Sequence, residues 1–442
     1  MKISEEALDI RVAVRKHQEW RSKCLNLMPA ENIMSPLARE LMGTDFHTRY
    51  ANLTCWLPSK HFVGNEYMEE VDRATVDLGK RLFNASFVET HIPSATLACE
   101  TVILALTGQG DLVLELEPKF GGFDSTERLK RVKAIAPSLR TGGIPFECKE
   151  MNIDADASVK IVKKQKPKLI MLGGTILLFP QPVSDIVEAA DEIGAIVSYD
   201  AAHVFGLVAG KQFQDPFGDG ARIICGSTHK TLFGPQGGLI LSKKYDGSEK
   251  EIQDVAHLFI GGAHPNLFAV LGVVFAELIA YGEEYAKQTV KNTKALGEAL
   301  YEKGFRVLCP EKGFTESHMV VVNVREMGGS HVVAQMLERA NIIPESTGIP
   351  GVDKLKDNLY AAEDGIISGL RLGGGENARL GMGPSEMKEI ATFFERVLLK
   401  REDPSSVAED VIEFKKGFNR IHYCFDDGAD PFEYFEMSRI GS

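Results

Sequence analysis

Residues 195–207, AIVSYDAAHVFGL, and residues 223–241, IICGSTHKTLFGPQGGLIL, hold short apolar, β-branched runs that lead into polar side chains or glycine turns. Bounded by Gly, Pro and Asp, such runs read as buried strands, here over 195–199, 223–225 and 238–241. Working outward, 111–116 and 168–172 repeat the pattern. Residues 183–193 space their apolar side chains for a helix on one sheet face, with Ser184 and Asp185 at its start. The alternation runs from about 66 to 280 and predicts an α/β fold, with a doubly wound large domain around a mostly parallel sheet.

Apolar residues recur at helical spacing through Leu267, Leu271, Val274, Leu278, Leu296 and Leu300, so 266–303 reads as one long helix or two joined ones. Beyond Gly304, the runs 305–308 and 318–324 and the helical patterns 331–340, 385–400 and 406–418 predict a smaller α+β C-terminal domain. The expected division is a helical arm over 1–50, a large domain over 51–282 and a small domain over 283–442.

With 442 residues, 44% hydrophobic and 25% charged, the chain has the composition of a soluble protein of more than one domain. A net charge of -12 argues against nucleic acid or an anionic membrane as partner. The seven cysteines are scattered without a CxxC pair, so neither a disulfide framework nor a metal site is expected, and a reducing cytoplasm fits. The opening MKISEEALDIRVAVRKHQEW mixes acids and bases and lacks a signal peptide's apolar core. The apolar run 267–275 falls short of the roughly 20 residues that span a bilayer.

Three segments carry candidate chemistry, and ligands of open α/β sheets bind at the carboxyl ends of strands. Asp200 ends one strand, with His203 three positions on. A buried acid needs a partner, and a pyridinium nitrogen is one suitable group; for a lone strand-end Asp, a turn or helix cap is the commoner role. Lys230 follows Ser227, Thr228 and His229 at the end of another strand. Desolvation there would free its amine to attack an aldehyde, and nearby hydroxyls and Gly-rich backbone can hold a phosphate, although a surface hairpin gives the same pattern. Arg371, in GLRLGGGENARLG, can clamp a carboxylate bidentately or serve an ordinary ion pair.

Together, YDAAHVFGLVAG (199–210), STHKTLFGPQGGLIL (227–241), FIGGAHPN (259–266) and GLRLG (369–373), preceded by LMPAENIMSPLARELMGTDFHTRYA (27–51), resemble the serine hydroxymethyltransferase family in order along nearly the whole chain. The resemblance implies an aminotransferase-like fold with a seven-stranded-type sheet and pyridoxal 5'-phosphate as cofactor. By the same resemblance Lys230 carries the cofactor as a Schiff base, with His229 beside it. Asp200 meets the pyridine nitrogen, His203 lies near the phenolic oxygen or the substrate carboxylate, and Arg371 holds that carboxylate. Ser94, Ala95 and Thr96 form the phosphate turn at a helix start, Phe123 covers the ring, and Glu31 and Tyr50 belong to the substrate side. A homodimer is implied, in which Tyr50, Gly261 and Gly262 approach the neighbour's cofactor.

Departures from the family pattern gather on the folate side. Asn52 stands in place of a Glu and cannot exchange a proton as an acid does. Phe62-Val63 replace paired tyrosines, Phe123 a histidine, Ala30 a serine, Ala95 and Thr96 a Gly-Ser pair, and Gln236 an arginine. Serine–glycine interconversion with tetrahydrofolate or a modified pterin is the leading expectation. A folate-independent β-hydroxy-amino-acid aldolase or threonine transaldolase is the alternative, and a non-catalytic homologue the third.

Overall fold

The computed structural model describes residues 2–52, 62–123, 125–131, 138–243, 247–260 and 262–436. The large sheet is built from Phe87–Glu89 (β1), Leu112–Leu116 (β2), Arg140–Ile144 (β3), Leu169–Gly173 (β4), Ile196–Asp200 (β5), Ile223–Ser227 (β6) and Gly238–Ser242 (β7). Its seven strands lie in the order β1-β7-β6-β5-β4-β2-β3. All neighbours pair in parallel except β7, which runs against both β6 and β1. The expected α/β class with a mostly parallel seven-stranded sheet is therefore correct. β2, β4, β6 and β7 are buried along their whole length, as strands covered by helices on both faces must be. The helix Val183–Asp191 starts after Pro182 without a side-chain cap, so Ser184 and Asp185 lie inside its first turn instead of capping it.

Helix Pro265–Glu302 is continuous through Gly282, so 266–303 forms one helix. Gly282 permits this path: a Cβ on the facing Gly210 would lie 2.3 Å from the Gly282 carbonyl oxygen, so two glycines let the backbones touch. Its apolar side packs on Glu66–Phe83 and Phe205–Ala209. Val270, Val274, Phe275 and Leu278 are buried there, each contributing roughly 1.5–3 kcal/mol. This helix is long and apolar enough to cross a bilayer, but 67% of its most apolar stretch is buried inside the protein.

A second sheet comprises Arg306–Val307 (β8), Met319–Asn323 (β9), Glu345–Thr347 (β10) and Gly369–Gly373 (β11), antiparallel in the order β8-β9-β11-β10. Its core includes Val320, Val322, Leu370 and Leu372, with Leu296 and Leu300 from the long helix. Leu25 and Leu27 join the same core, and Leu25–Asn26 pairs in parallel with Ile342–Ile343. The N-terminal segment is thus tied to the C-terminal layer.

Candidate active site

β4, β5 and β6 end, and antiparallel β7 begins, along one edge of the large sheet. The turn that carries Lys230 is fixed by its own backbone. Gly234 N–H donates to the Thr228 carbonyl (2.8 Å), Phe233 N–H to the Lys230 carbonyl (3.0 Å), and the Thr228 hydroxyl to the Pro235 carbonyl (2.5 Å). Thr231 then joins this turn to the one after β5: its hydroxyl donates to the His203 carbonyl (2.7 Å) and accepts from Gly206 N–H (3.0 Å). Only a glycine fits at 206, because a Cβ there would stand 2.1 Å from the Thr231 carbonyl oxygen. Lys230 and Asp200 are thereby placed on adjoining strand ends and held together.

Burial lowers the Lys230 amine from its ordinary 10.5 to about 8, against the opposing field of Asp200 and with further lowering by Arg371. Asp200 lines a small cleft with Cys99, Glu115, Phe123, Gly173 and Gly174. Its Oδ1 accepts from Ala202 N–H (2.9 Å), and desolvation raises its pKa despite that bond and Lys230. A carboxylate in this state gains from a cationic N–H partner. Burial also keeps three imidazoles uncharged. His203 lies well below its usual pKa, His229 is lowered to about 4 and His318 to about 3, each mainly by desolvation and then by the Lys230 or Arg371 cation. His203 and His318 stack with centroids 5.6 Å apart. The Nδ1 atoms of His203 and His229 are buried without a protein partner among the described residues.

Arg371 arrives from the second sheet and is 1% exposed. Glu345, directly opposite it across β10 and β11, takes its Nε (3.2 Å) and Nη2 (2.5 Å), while Nη1 donates to the Thr175 carbonyl. The sequence reading missed Glu345 and His318. Neither stands in a local motif; strand pairing and packing bring them to the site.

Ser94 is the N-cap of Ala95–Leu106, and its hydroxyl accepts from Leu97 N–H at 3.2 Å. Ala95 and Thr96 form the first turn, whose N–H groups have no intrahelical acceptor. This turn abuts β7: a Cβ on Gly238 would lie 2.4 Å from the Ser94 carbonyl oxygen. Phe123 shares the cleft with Asp200 and stacks beneath the Arg128 guanidinium at 5.1 Å.

The remaining candidates lie farther out. Glu31 lines a cavity of about 660 Å³ with His229, Gln236 and Met42, and its carboxylate is paired with Arg21 at 2.6 Å. Ala30 precedes it and is half-buried, and Gln236 is exposed. Tyr50 is 63% exposed and stacks on Phe62 at 4.9 Å, next to Gly262; Val63 is 90% exposed. Asn52 donates to the Phe62 carbonyl (2.8 Å) and to Glu69 (3.0 Å). Gly261 lies outside the described residues.

The donors around Lys230 fit pyridoxal phosphate: an under-neutralised carboxylate for the ring nitrogen, unpartnered imidazole nitrogens beside it and a helix start for the phosphate. The structure superposes on that of L-threonine transaldolase from Pseudomonas fluorescens in its internal aldimine state, with TM-score 0.84 and 24% identity over 96% of each chain, which establishes the shared fold. Fold and site define a pyridoxal-phosphate enzyme of the aminotransferase-like architecture. A family model for serine hydroxymethyltransferase matches residues 3–394, and the chain belongs to that family. It is 43% identical over 447 residues to the serine hydroxymethyltransferase of Methanocaldococcus jannaschii, covering 99% of this chain and 100% of that one. It is 42% identical over 434 residues to that of Methanopyrus kandleri, covering 97% and 98%.

Proposed function

We propose that the protein interconverts serine and glycine with a one-carbon carrier, tetrahydrofolate or a modified pterin, as a cytoplasmic homodimer with shared active sites. The observation that carries this reading is the meeting of Lys230, Asp200 and Arg371 at one sheet edge, with chemistry for an aldehyde, a pyridinium and a carboxylate. When bound, pyridoxal phosphate supplies an electron sink for breaking a bond at the substrate's α-carbon. The protein's own groups do the rest. Lys230, with its depressed pKa, offers a free amine near neutral pH, and Asp200 gives the ring nitrogen its counter-charge. Uncharged His203 and His229 each present a ring nitrogen that accepts or donates a hydrogen bond according to tautomer. Arg371 orients the substrate carboxylate, and the N–H groups of Ala95 and Thr96 with Ser94 hold the phosphate. Phe123 covers one face of the ring but cannot share a proton. On the substrate side Glu31 stands in the cavity next to His229. Tyr50 and Gly262 form the edge offered to the partner subunit, which accounts for the exposed Tyr50 ring. The proposed division is a helical arm over 1–50, a large domain over 51–282 and a small domain over 283–442.

A second reading, a folate-independent aldolase or transaldolase, is favoured by one observation. Asn52 uses its amide to hold Phe62 and Glu69 and has no titratable group. The deciding experiment measures serine cleavage by the purified enzyme with and without tetrahydrofolate, beside threonine cleavage. Carrier-dependent serine turnover is expected; serine turnover indifferent to the carrier would sink the transferase reading and favour the aldolase.

A further inference from the structure

Arg371 is a buried cation whose fork is already occupied. Its Nε and Nη2 edge is closed by the two oxygens of Glu345, and Nη1 is committed to the Thr175 carbonyl. The pairing is built into the backbone, because Glu345 and Arg371 are direct cross-strand partners. It is also part of the site wall, since both residues act electrostatically on Lys230 and Arg371 acts on His203 and His318. The two side chains differ in exposure: Arg371 is enclosed at 1%, whereas Glu345 is 16% exposed and so reaches toward solvent.

We infer that Glu345 is a specificity-determining counter-ion that holds the carboxylate clamp closed and must be displaced by an incoming substrate carboxylate. The inference rests on the reading of Arg371 as that clamp. A buried guanidinium without substrate would otherwise be an unpaired charge, and Glu345 removes that cost. Once a second carboxylate arrives, two like charges flank one cation in a site of low dielectric, so the weaker holder leaves. Substrates lacking a carboxylate cannot open the clamp, and affinity for amino acids is held down by the internal competitor.

The test uses the holoenzyme and titrates glycine and acetate, following the absorbance of the Lys230-bound cofactor for glycine and competition against glycine for acetate. Glu345→Gln keeps the side chain's shape and removes its charge. Dissociation constants for glycine and acetate should each fall about tenfold, with a drop in the serine KM larger than any change in kcat. Glu345→Asp retains the charge and should keep the wild-type weakness. Unchanged or weaker glycine binding by Glu345→Gln, at wild-type cofactor absorbance, would overturn the inference and leave Glu345 a scaffold for Arg371. Arg371→Ala separates the two claims: a large loss of glycine affinity upholds the clamp whatever Glu345 does. Unchanged affinity removes the clamp and the inference with it.

Discussion

The wall around Lys230 and the group formed by Tyr50, Asn52, Phe62 and Val63 were both candidates for chemistry, yet they are built differently. At Lys230, every polar turn is cross-braced. Thr231 ties two loops together, Gly206 lets their backbones touch, and charged groups are buried deeply enough to change their proton affinity. Around Tyr50 the outer side chains meet solvent, with Val63 90% exposed and Tyr50 63% exposed, while Ala51 and Asn52 beside them are buried. A braced, desolvated wall fixes reactivity within the chain, whereas an outward-facing one leaves its chemistry to whatever covers it. Substitutions on the first wall should therefore act on the cofactor, and those on the second on the carrier-dependent step.

The largest expected effect is at Lys230 itself. Lys230→Ala removes the amine that Asp200 and Arg371 both act upon. The yellow absorbance should vanish and turnover fall by at least about a thousandfold, the scale for loss of a covalent group. Retained colour with a lysine-type spectrum would show that a different residue holds the cofactor.

Next in size is the pH dependence of cofactor loading. Burial lowers the Lys230 amine to about 8, so its neutral form is far more accessible near neutral pH than that of an ordinary lysine. At pH 7 about a tenth of the amine is free, against well under one part in a thousand for an ordinary lysine. The rate at which cofactor-free protein acquires its visible band should rise about tenfold per unit below about pH 7, about fivefold between pH 7 and 8, and level off by about pH 9. A rate still climbing through pH 9 to 10 would break the claim that this wall is desolvated.

The same contrast governs what the sequence could tell. The core strands at 111–116, 168–172, 195–199, 223–225 and 238–241 were legible because burial on both faces leaves an apolar run. β1 and β3 were not: Phe87–Glu89 is three residues long, and Arg140–Ile144 reads RTGGI, with neither alternation nor bulk. Asp200, His203 and Lys230 were legible because strand-end position is a local property. Glu345 and His318 were not, since only the pairing of β10 with β11 and the packing onto His203 bring them in. The close approach of Gly210 to the long helix at Gly282 likewise joins residues distant in sequence.

A smaller effect is expected at Asn52, which gives two hydrogen bonds through its amide and takes one from Phe62 N–H at 2.8 Å. Asn52→Ala removes these three hydrogen bonds and should cost about 1–3 kcal/mol, read as a lower unfolding midpoint. The cofactor band should be untouched. A loss of colour would mean that the two regions are not independent.

The smallest change in stability, within about 0.5 kcal/mol, is expected for Val63→Tyr, because the side chain is 90% exposed. Its value lies in function. A tyrosine at 63 restores one hydroxyl where the family carries a pair, without touching Lys230, Asp200 or Arg371. If the second wall serves the carrier, the variant should shift the tetrahydrofolate dependence of serine turnover while the cofactor band and threonine cleavage stay at wild-type values. A parallel change in threonine cleavage, which needs no carrier, would assign Val63 to the amino-acid side and erase the distinction between the two walls.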